Sequence, residues 1–252
     1  MRAVHFARPF EFRLDIPQDR IAQGTTLSGS LAVANRDGAP HGGLSLQLAL
    51  GYGTFREVKN KGGSALTILE RQTLAERLTL APGQEHQAAW SLPIKTDCPT
   101  TTKESGPFLL YGTTLDDPAG RGMIDLPVAL APPLEALIAT VENHFAFEAR
   151  TRKNAHGFVE VQFKPPGTYP TLLEFSVGMQ VSGQDLNLRF RCKLKAFQRG
   201  AKAGVTARRT EVDRTLSGRD FMVSPTMPNR ERYRQVVQEV LEEITPAILA
   251  PA

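Results

Sequence analysis

The sequence predicts an all-β protein: two β-sandwich domains in tandem, a short linker helix between them and an amphipathic helix at the C-terminal end. Three observations predict it. Most of the 252 residues read at period two, the strand period, in short runs. Gly (21) and Pro (18) together form about 15% of the chain against roughly 12% in an average one, an excess that many turns require. Only two segments carry a helical stripe, at Leu134–Val141 and Tyr233–Ile244. Strands at close intervals, punctuated by Pro and Gly, describe sandwiches. Leu130-Ala131-Pro132-Pro133 marks the boundary, so the expected domains are residues 1–131 and 132–252.

Taken in order, Leu27, Gly29, Leu31 and Val33 share one strand face, with Ser28, Ser30 and Ala32 on the other. The run ends at Asn35-Arg36-Asp37-Gly38, where the Asp-Gly pair tolerates the positive φ of a tight turn, so a hairpin is expected. Leu44, Leu46, Leu48 and Leu50 alternate with Ser45, Gln47 and Ala49. Gly51-Tyr52-Gly53 follows as a lone Gly-x-Gly; without a third glycine and a following helix it reads as a bulge or turn. Leu74, Leu78 and Leu80 lead to an Ala81-Pro82-Gly83 turn, then come Ala88–Leu92 and, past a Thr-rich loop, Phe108–Tyr111.

Beyond the boundary Leu134, Leu137, Ile138 and Val141 stand at i, i+3, i+4 and i+7, with Pro133 near the first turn of that helix. Strands return at Phe158–Phe163, Leu172–Val181 and Leu186–Phe197, and a hydrophilic stretch with no assigned element runs to about Arg219. Asn229 is a plausible N-cap for a helix carrying Tyr233, Val236, Val237, Val240, Leu241 and Ile244, stopped by Thr245-Pro246.

Charge is unevenly placed. The net charge is +4, with 13 basic and 13 acidic residues over 1–133 and 17 against 13 over 134–252. Residues 189–219 hold ten basic residues (Arg189, Arg191, Lys193, Lys195, Arg199, Lys202, Arg208, Arg209, Arg214 and Arg219) against Glu211 and Asp213. In Leu186–Ala196 the apolar Leu186, Leu188, Phe190, Cys192 and Leu194 take one face, and Arg189, Arg191, Lys193 and Lys195 take the other. Like charges along one strand repel unless a cross-strand acid or an anionic partner answers them. A solvated outer face, or an edge strand protected from aggregation, is the plainer account. The functional account makes those four residues a partner-binding surface for an acidic or phosphorylated protein, or for an anionic membrane surface. Nucleic acid ranks behind these, because Phe190 points inward and no base-stacking set accompanies it, and an anionic-ligand or nucleic-acid binding protein using the same basic face is the alternative function. The C-terminal stripe is expected to dock within the chain, with a homodimer seam or a membrane-surface helix as alternatives.

Catalytic and metal motifs are not found. His5, His41, His86, His144 and His156 have no metal-helix spacing, and Gly-x-Ser-x-Gly and Gly-x-x-x-x-Gly-Lys do not occur. His144 and His156, twelve apart, are the pair most open to a shared site. Cys98 and Cys192 are expected to be buried free thiols, and Asp97 beside Cys98 raises its pKa rather than making it a nucleophile. Asp116-Asp117-Pro118 reads as an Asx turn before proline, not a cation site. No cofactor or metal is therefore expected. No run of 18 apolar residues occurs, and the first eight residues have no apolar signal core, so a cytoplasmic protein is expected.

Several of these segments resemble the arrestin-like proteins. Ile21-Ala22-Gln23-Gly24-Thr25-Thr26-Leu27-Ser28-Gly29 is similar to their opening, a glycine turn followed by a strand with its own glycine. Leu78–Glu85 with Ala81-Pro82-Gly83, then Trp90-Ser91-Leu92-Pro93 and Pro99-Thr100, is similar to their Pro-Gly turn and apolar strand. Leu109-Leu110-Tyr111-Gly112-Thr113-Thr114-Leu115-Asp116, Asp125-Leu126-Pro127-Val128, Leu134–Val141 and Phe158–Pro165 resemble the bacterial sporulation-control branch of that fold. Together the segments span about residues 20–200. Trp90 departs from a common phenylalanine, and the basic stretch after Arg189 is heavier than the pattern. The resemblance implies two arrestin-like β-sandwich domains and a non-catalytic scaffold or regulatory protein. It carries no catalytic residues to this chain.

Overall fold

The computed structural model describes residues 1–198, 204–224 and 226–244. They form two compact units, Met1–Ala129 and Leu130–Ala252. The first contains β1 (Arg2–Ala7), β2 (Phe10–Asp15), β3 (Ile21–Ala22), β4 (Thr26–Asn35), β5 (His41–Thr54), α1 (Phe55–Lys61), β6 (Thr67–Leu80), β7 (Glu85–Pro93), β8 (Ser105–Gly112), β9 (Arg121–Asp125) and β10 (Val128–Ala129). Two antiparallel sheets, β1-β2-β4-β7 and β6-β5-β8-β9, face each other as a sandwich, and β3 and β10 pair in parallel beside them.

The alternation predicted from the leucines decides what fills this sandwich. Leu31 and Val33 of β4, Leu46 and Leu48 of β5, and Leu109 of β8 reach zero exposure in one core. Each such side chain contributes roughly 1.5–3 kcal/mol relative to an exposed one. Gly29 is on the same face of β4 for a steric reason: a Cβ there would stand 2.7 Å from Trp90 Cζ2. β8 lies between β5 and β9 and is buried along its whole length, because Leu110 joins Ala49 and Leu115 in a small second cluster on its other face.

The expected hairpin at Asn35–Gly38 is not one. β4 pairs with β2 and β7, whereas β5 pairs with β6 and β8, so this segment carries the chain from one sheet to the other. Asn35 makes the crossing. Its fully buried amide donates to the carbonyls of Ala39 (2.8 Å), Leu80 (3.1 Å) and Ala81 (3.2 Å), and its oxygen accepts from the Asp37 amide (2.9 Å). Gly38 does not have the positive φ that a tight hairpin would use, whereas Gly83, in the Ala81-Pro82-Gly83 turn that the sequence predicts, has φ 70°. At Gly51-Tyr52-Gly53 the β5–β6 register shifts between Leu50 and Gly51, as a bulge does. A helix does follow, α1, capped by the Thr54 hydroxyl accepting from the Glu57 amide (3.3 Å). The Asp117 carboxylate accepts from the Ala119 amide (2.9 Å), an Asx turn.

The second unit contains α2 (Pro132–Phe145), β11 (Glu148–Ala155), β12 (Phe158–Lys164), β13 (Leu172–Ser182), β14 (Asp185–Gln198), β15 (Gly204–Ser217), α3 (Gly218–Phe221), β16 (Met222–Ser224), β17 (Met227–Pro228) and α4 (Arg230–Ile244). β11 to β15 form one antiparallel sheet in sequence order. The layer opposite it is largely helical. Leu134, Leu137 and Val141 of α2 and Tyr233, Val236, Val237, Val240 and Leu241 of α4 share a core with Val161, Phe175, Val177, Leu188 and Phe190 of the sheet. The linker stripe and the C-terminal stripe thus meet one sheet face. The stop expected at Thr245-Pro246 lies outside the described residues.

Two strands have no apolar signature. β11 reads Glu-Ala-Arg-Thr-Arg-Lys-Asn-Ala and is an exposed edge. β15 occupies much of the hydrophilic stretch; it offers Val212 and Leu216 to the core, while Arg214, on the same face, pairs with Glu243 of α4. No helix among the described residues is long and apolar enough to cross a membrane.

Candidate functional site: the outer face of the five-stranded sheet

Because side chains alternate along a strand, burying Leu186, Leu188, Phe190, Cys192 and Leu194 turns Arg189, Arg191, Lys193 and Lys195 to the opposite, solvent-facing side of β14. The sequence expectation for this strand holds residue by residue. What the register adds is the set of acids facing it. Arg189 stands opposite Asp213, and Arg191 opposite Glu211, both on β15; Lys193 lies next to Glu174 of β13.

Each juxtaposition closes an ion pair. Arg189 Nε lies 3.1 Å from Asp213 and 3.3 Å from Glu211. Arg191 reaches Glu211 at 2.7 Å and Glu160 of β12 at 3.2 Å, and Lys193 Nζ reaches Glu174 at 2.8 Å. Lys153 of β11 approaches Glu160 from the far side at 3.5 Å. The hydrogen bond from Arg191 to Glu211 holds the guanidinium pKa above its ordinary value. Arg189 also stacks over the Phe158 ring, 4.9 Å from its centroid. Apart from the largely covered Glu160 carboxylate these groups are open to solvent, and an exposed pair contributes at most about 1 kcal/mol. Their value is arrangement: they fix where each charge is presented.

Lys195 and Arg209 differ. Both are exposed, and neither has an ion pair among the described residues; Arg209 lies opposite Lys193 in the register. Lys153, Glu160, Glu174, Arg191, Lys193, Arg209 and Glu211 line a shallow trough of about 620 Å³ on this face. The ten basic residues of 189–219 therefore do not form one surface. Arg208 and Arg214 belong to the other face of β15 by alternation, and Arg199 and Lys202 lie outside the described residues. Alternation within β14 picks out the four cations but not Glu160, Glu174, Glu211 and Asp213 as their partners. The strand alternation held their parity, but only the register brings them opposite.

Elsewhere the titratable groups are dispersed. His144 is exposed in the last turn of α2, its ring against Phe145, and His156 is exposed at the β11–β12 turn with φ 51°. No cluster of three His, Cys, Asp or Glu able to hold a metal occurs among the described residues. Cys98 and Cys192 are buried and free, and burial pushes each thiol up to about 12.

No family model and no curated protein matches the sequence. In three dimensions the chain is similar to Spo0M, the sporulation control protein of Bacillus subtilis. The TM-score is 0.67 over 93% of this chain and 98% of that one, at 16% identity. The chain has the Spo0M fold. The arrestin-like, sporulation-control resemblance read from the residues and the likeness read from the backbone thus coincide. At 16% identity the Spo0M likeness reports architecture alone. Partial likenesses also occur to a β-glucosidase of Listeria innocua (TM-score 0.31, 14% identity, 48% of this chain and 16% of that one). A DNA glycosylase, AlkC of Pseudomonas fluorescens, is similar to the same degree (TM-score 0.31, 16% identity, 47% and 30%). Neither reaches the similarity at which a shared fold carries functional meaning.

Proposed function

We propose that this chain is a non-catalytic regulatory protein of the sporulation-control kind, a cytoplasmic scaffold that works through protein–protein contacts on the outer face of its second sheet. The observation that carries this reading is the trough with its alternating charges. Around it six cations (Lys153, Arg189, Arg191, Lys193, Lys195 and Arg209) stand among four acids (Glu160, Glu174, Glu211 and Asp213), with Lys164, Glu148 and Asp185 on the same face towards its margins. A uniformly basic face would suit any polyanion. A patterned one suits a protein segment that places its own charges in register, since charge complementarity sets specificity and association rate more than affinity. Lys195 and Arg209 are the anchors for an acidic or phosphorylated side chain, because binding there breaks no existing pair. The same four acids repel an anionic membrane or a nucleic-acid backbone, so a protein partner is favoured over either.

The test exchanges those two anchors. A Lys195→Glu/Arg209→Glu double variant loses no intramolecular ion pair and should melt within about 1 °C of the parent, as surface changes away from built features do. Affinity capture from native lysate should lose the salt-sensitive partners. An unchanged set of partners would overturn the reading. Retention of the parent on heparin, with no protein partner recovered, would favour a polyanion ligand instead.

A further inference from the structure

We infer that β1 is a self-association edge, through which two copies of this chain join their first sandwiches into one continuous eight-stranded sheet. The hydrogen-bond parity of β1 is set at its first residue. Met1 and Ile16 exchange both backbone bonds: the Ile16 amide donates to Met1 O (2.8 Å) and the Met1 amine donates to Ile16 O. In an antiparallel pair such doubly bonded positions alternate with open ones. With the register Arg2↔Asp15 through Ala7↔Phe10, the positions bonded to β2 are Ala3, His5 and Ala7. The N–H and C=O groups of Arg2, Val4 and Phe6 therefore point away from the sheet, along its edge.

Those same three residues carry the exposed side chains. Phe6 is 66% exposed and Val4 56%, the two most exposed large apolar side chains of this unit. Edge strands are ordinarily blunted by charge or proline. β7, at the opposite edge of this sheet, turns Glu85, Gln87, Ala89 and Ser91 to solvent and presents no large apolar side chain there. The middle of β1 has no such protection.

The sequence of β1 selects the occupant. Two copies of β1 can pair antiparallel with open positions opposing open positions in few registers. The one that uses all three sets Val4 opposite Val4 of the second copy and Arg2 opposite Phe6. Each Arg2 then lies beside a ring, a favourable cation–π geometry, and no two like charges stand opposite one another. Reading across the joined sheet, Glu11, Phe6, the second copy's Arg2 and its Asp15 form one row, with a cation between acids. Arg13 flanks Val4 on each side, but the two guanidinium groups are three strand spacings apart, about 14 Å, which exceeds the Debye length of about 8 Å at physiological salt. A six-residue seam is small, so the expected association is weak and concentration-dependent.

Sedimentation equilibrium from micromolar to millimolar chain tests this, with two variants. The parent should show a mass rising above 27.6 kDa with concentration. Val4→Lys, on an exposed side chain, should leave the unfolding midpoint unchanged and keep the chain monomeric, because it sets lysine opposite lysine. Val4→Cys should form an intermolecular disulfide on oxidation, since hydrogen-bonded antiparallel partners sit about 5.5 Å apart at Cα, within disulfide range. Arg2→Cys alone should not. A parent monomeric throughout, a dimer that survives Val4→Lys, or cross-linking through Arg2→Cys but not Val4→Cys would each overturn the inference. None of these results bears on the docking face of the second unit.

Discussion

Replacing Asn35 tests the claim that one buried amide holds the crossing between the two sheets of the first sandwich. The side chain has zero exposure, donates to three carbonyls and accepts from one amide. Of those carbonyls only Leu80 O is bonded in a fully buried setting; the bonds to Ala39 and Ala81 are part-buried, so water can replace them. Asn35→Ala therefore takes from Leu80 O its buried side-chain donor, at about 1–3 kcal/mol, and weakens three others by a few tenths each, for a total of about 3 kcal/mol. For a unit of this size, with about 4 °C per kcal/mol, the midpoint should fall by about 12 °C. The assay is urea or thermal unfolding followed by tryptophan fluorescence. Trp90 is the only tryptophan in the sequence and is buried in that sandwich, so the signal reports on this unit alone. Asn35→Asp adds a second readout. Its carboxylate would face carbonyl oxygens, so burial and repulsion would raise its pKa in the folded state. The penalty relative to the parent should shrink as the pH falls through that raised value and the acid becomes a donor. A midpoint within 2 °C of the parent for Asn35→Ala (~0.5 kcal/mol), or a pH-independent penalty for Asn35→Asp, would refute the reasoning.

Two further outcomes follow from buried groups. The Tyr233 hydroxyl, fully buried in α4, finds no hydrogen-bond partner among the described residues, so Tyr233→Phe should stabilise the second unit by about 1 kcal/mol in calorimetry; a loss of that size would mean the hydroxyl is bonded after all. The thiols of Cys98 and Cys192 should resist a thiol reagent at pH 8 in the folded chain and give two equivalents in urea. Their folded pKa of about 12 lies above the ordinary 9.0, so the unfolded chain releases protons first. Stability is then full below pH 9 and declines towards pH 12, by about 1.4 kcal/mol per pH unit per thiol. A flat profile from pH 8 to 11 would contradict this.

Period-two alternation was legible wherever one strand face is apolar, as in Leu44–Leu50 and Leu186–Leu194. It failed for β11, which has no buried face to write into the sequence, and for β15, where Arg214 holds an inward position by pairing with Glu243. The Asn35–Gly38 segment reads as a hairpin because a turn within a sheet and a crossing between sheets demand the same small polar residues. The difference lies in partners 45 residues away, such as Leu80 O. The stripes of α2 and α4 were readable as stripes, but not their common destination. The candidate face was half legible: Arg189, Arg191, Lys193 and Lys195 follow from alternation within one strand. Glu160, Glu174, Glu211 and Asp213 come from three other strands, and no pattern within β14 indicates which of them will stand opposite.

The helical layer of the second unit also has a consequence in time. A chain emerges from the ribosome at about 5–20 residues per second. The first sandwich can close once its own strands are out, because every member of its core precedes residue 130. The five-stranded sheet is finished at Ser217, yet the stripe of α4 that covers it runs to Ile244. For roughly 1–5 s of synthesis, Val161, Phe175, Val177, Leu188 and Phe190 lack that cover, shielded on the inner side only in part by α2. A stalled or truncated chain ending in that interval would present an apolar sheet, and it is there that a chaperone or protease would meet this protein.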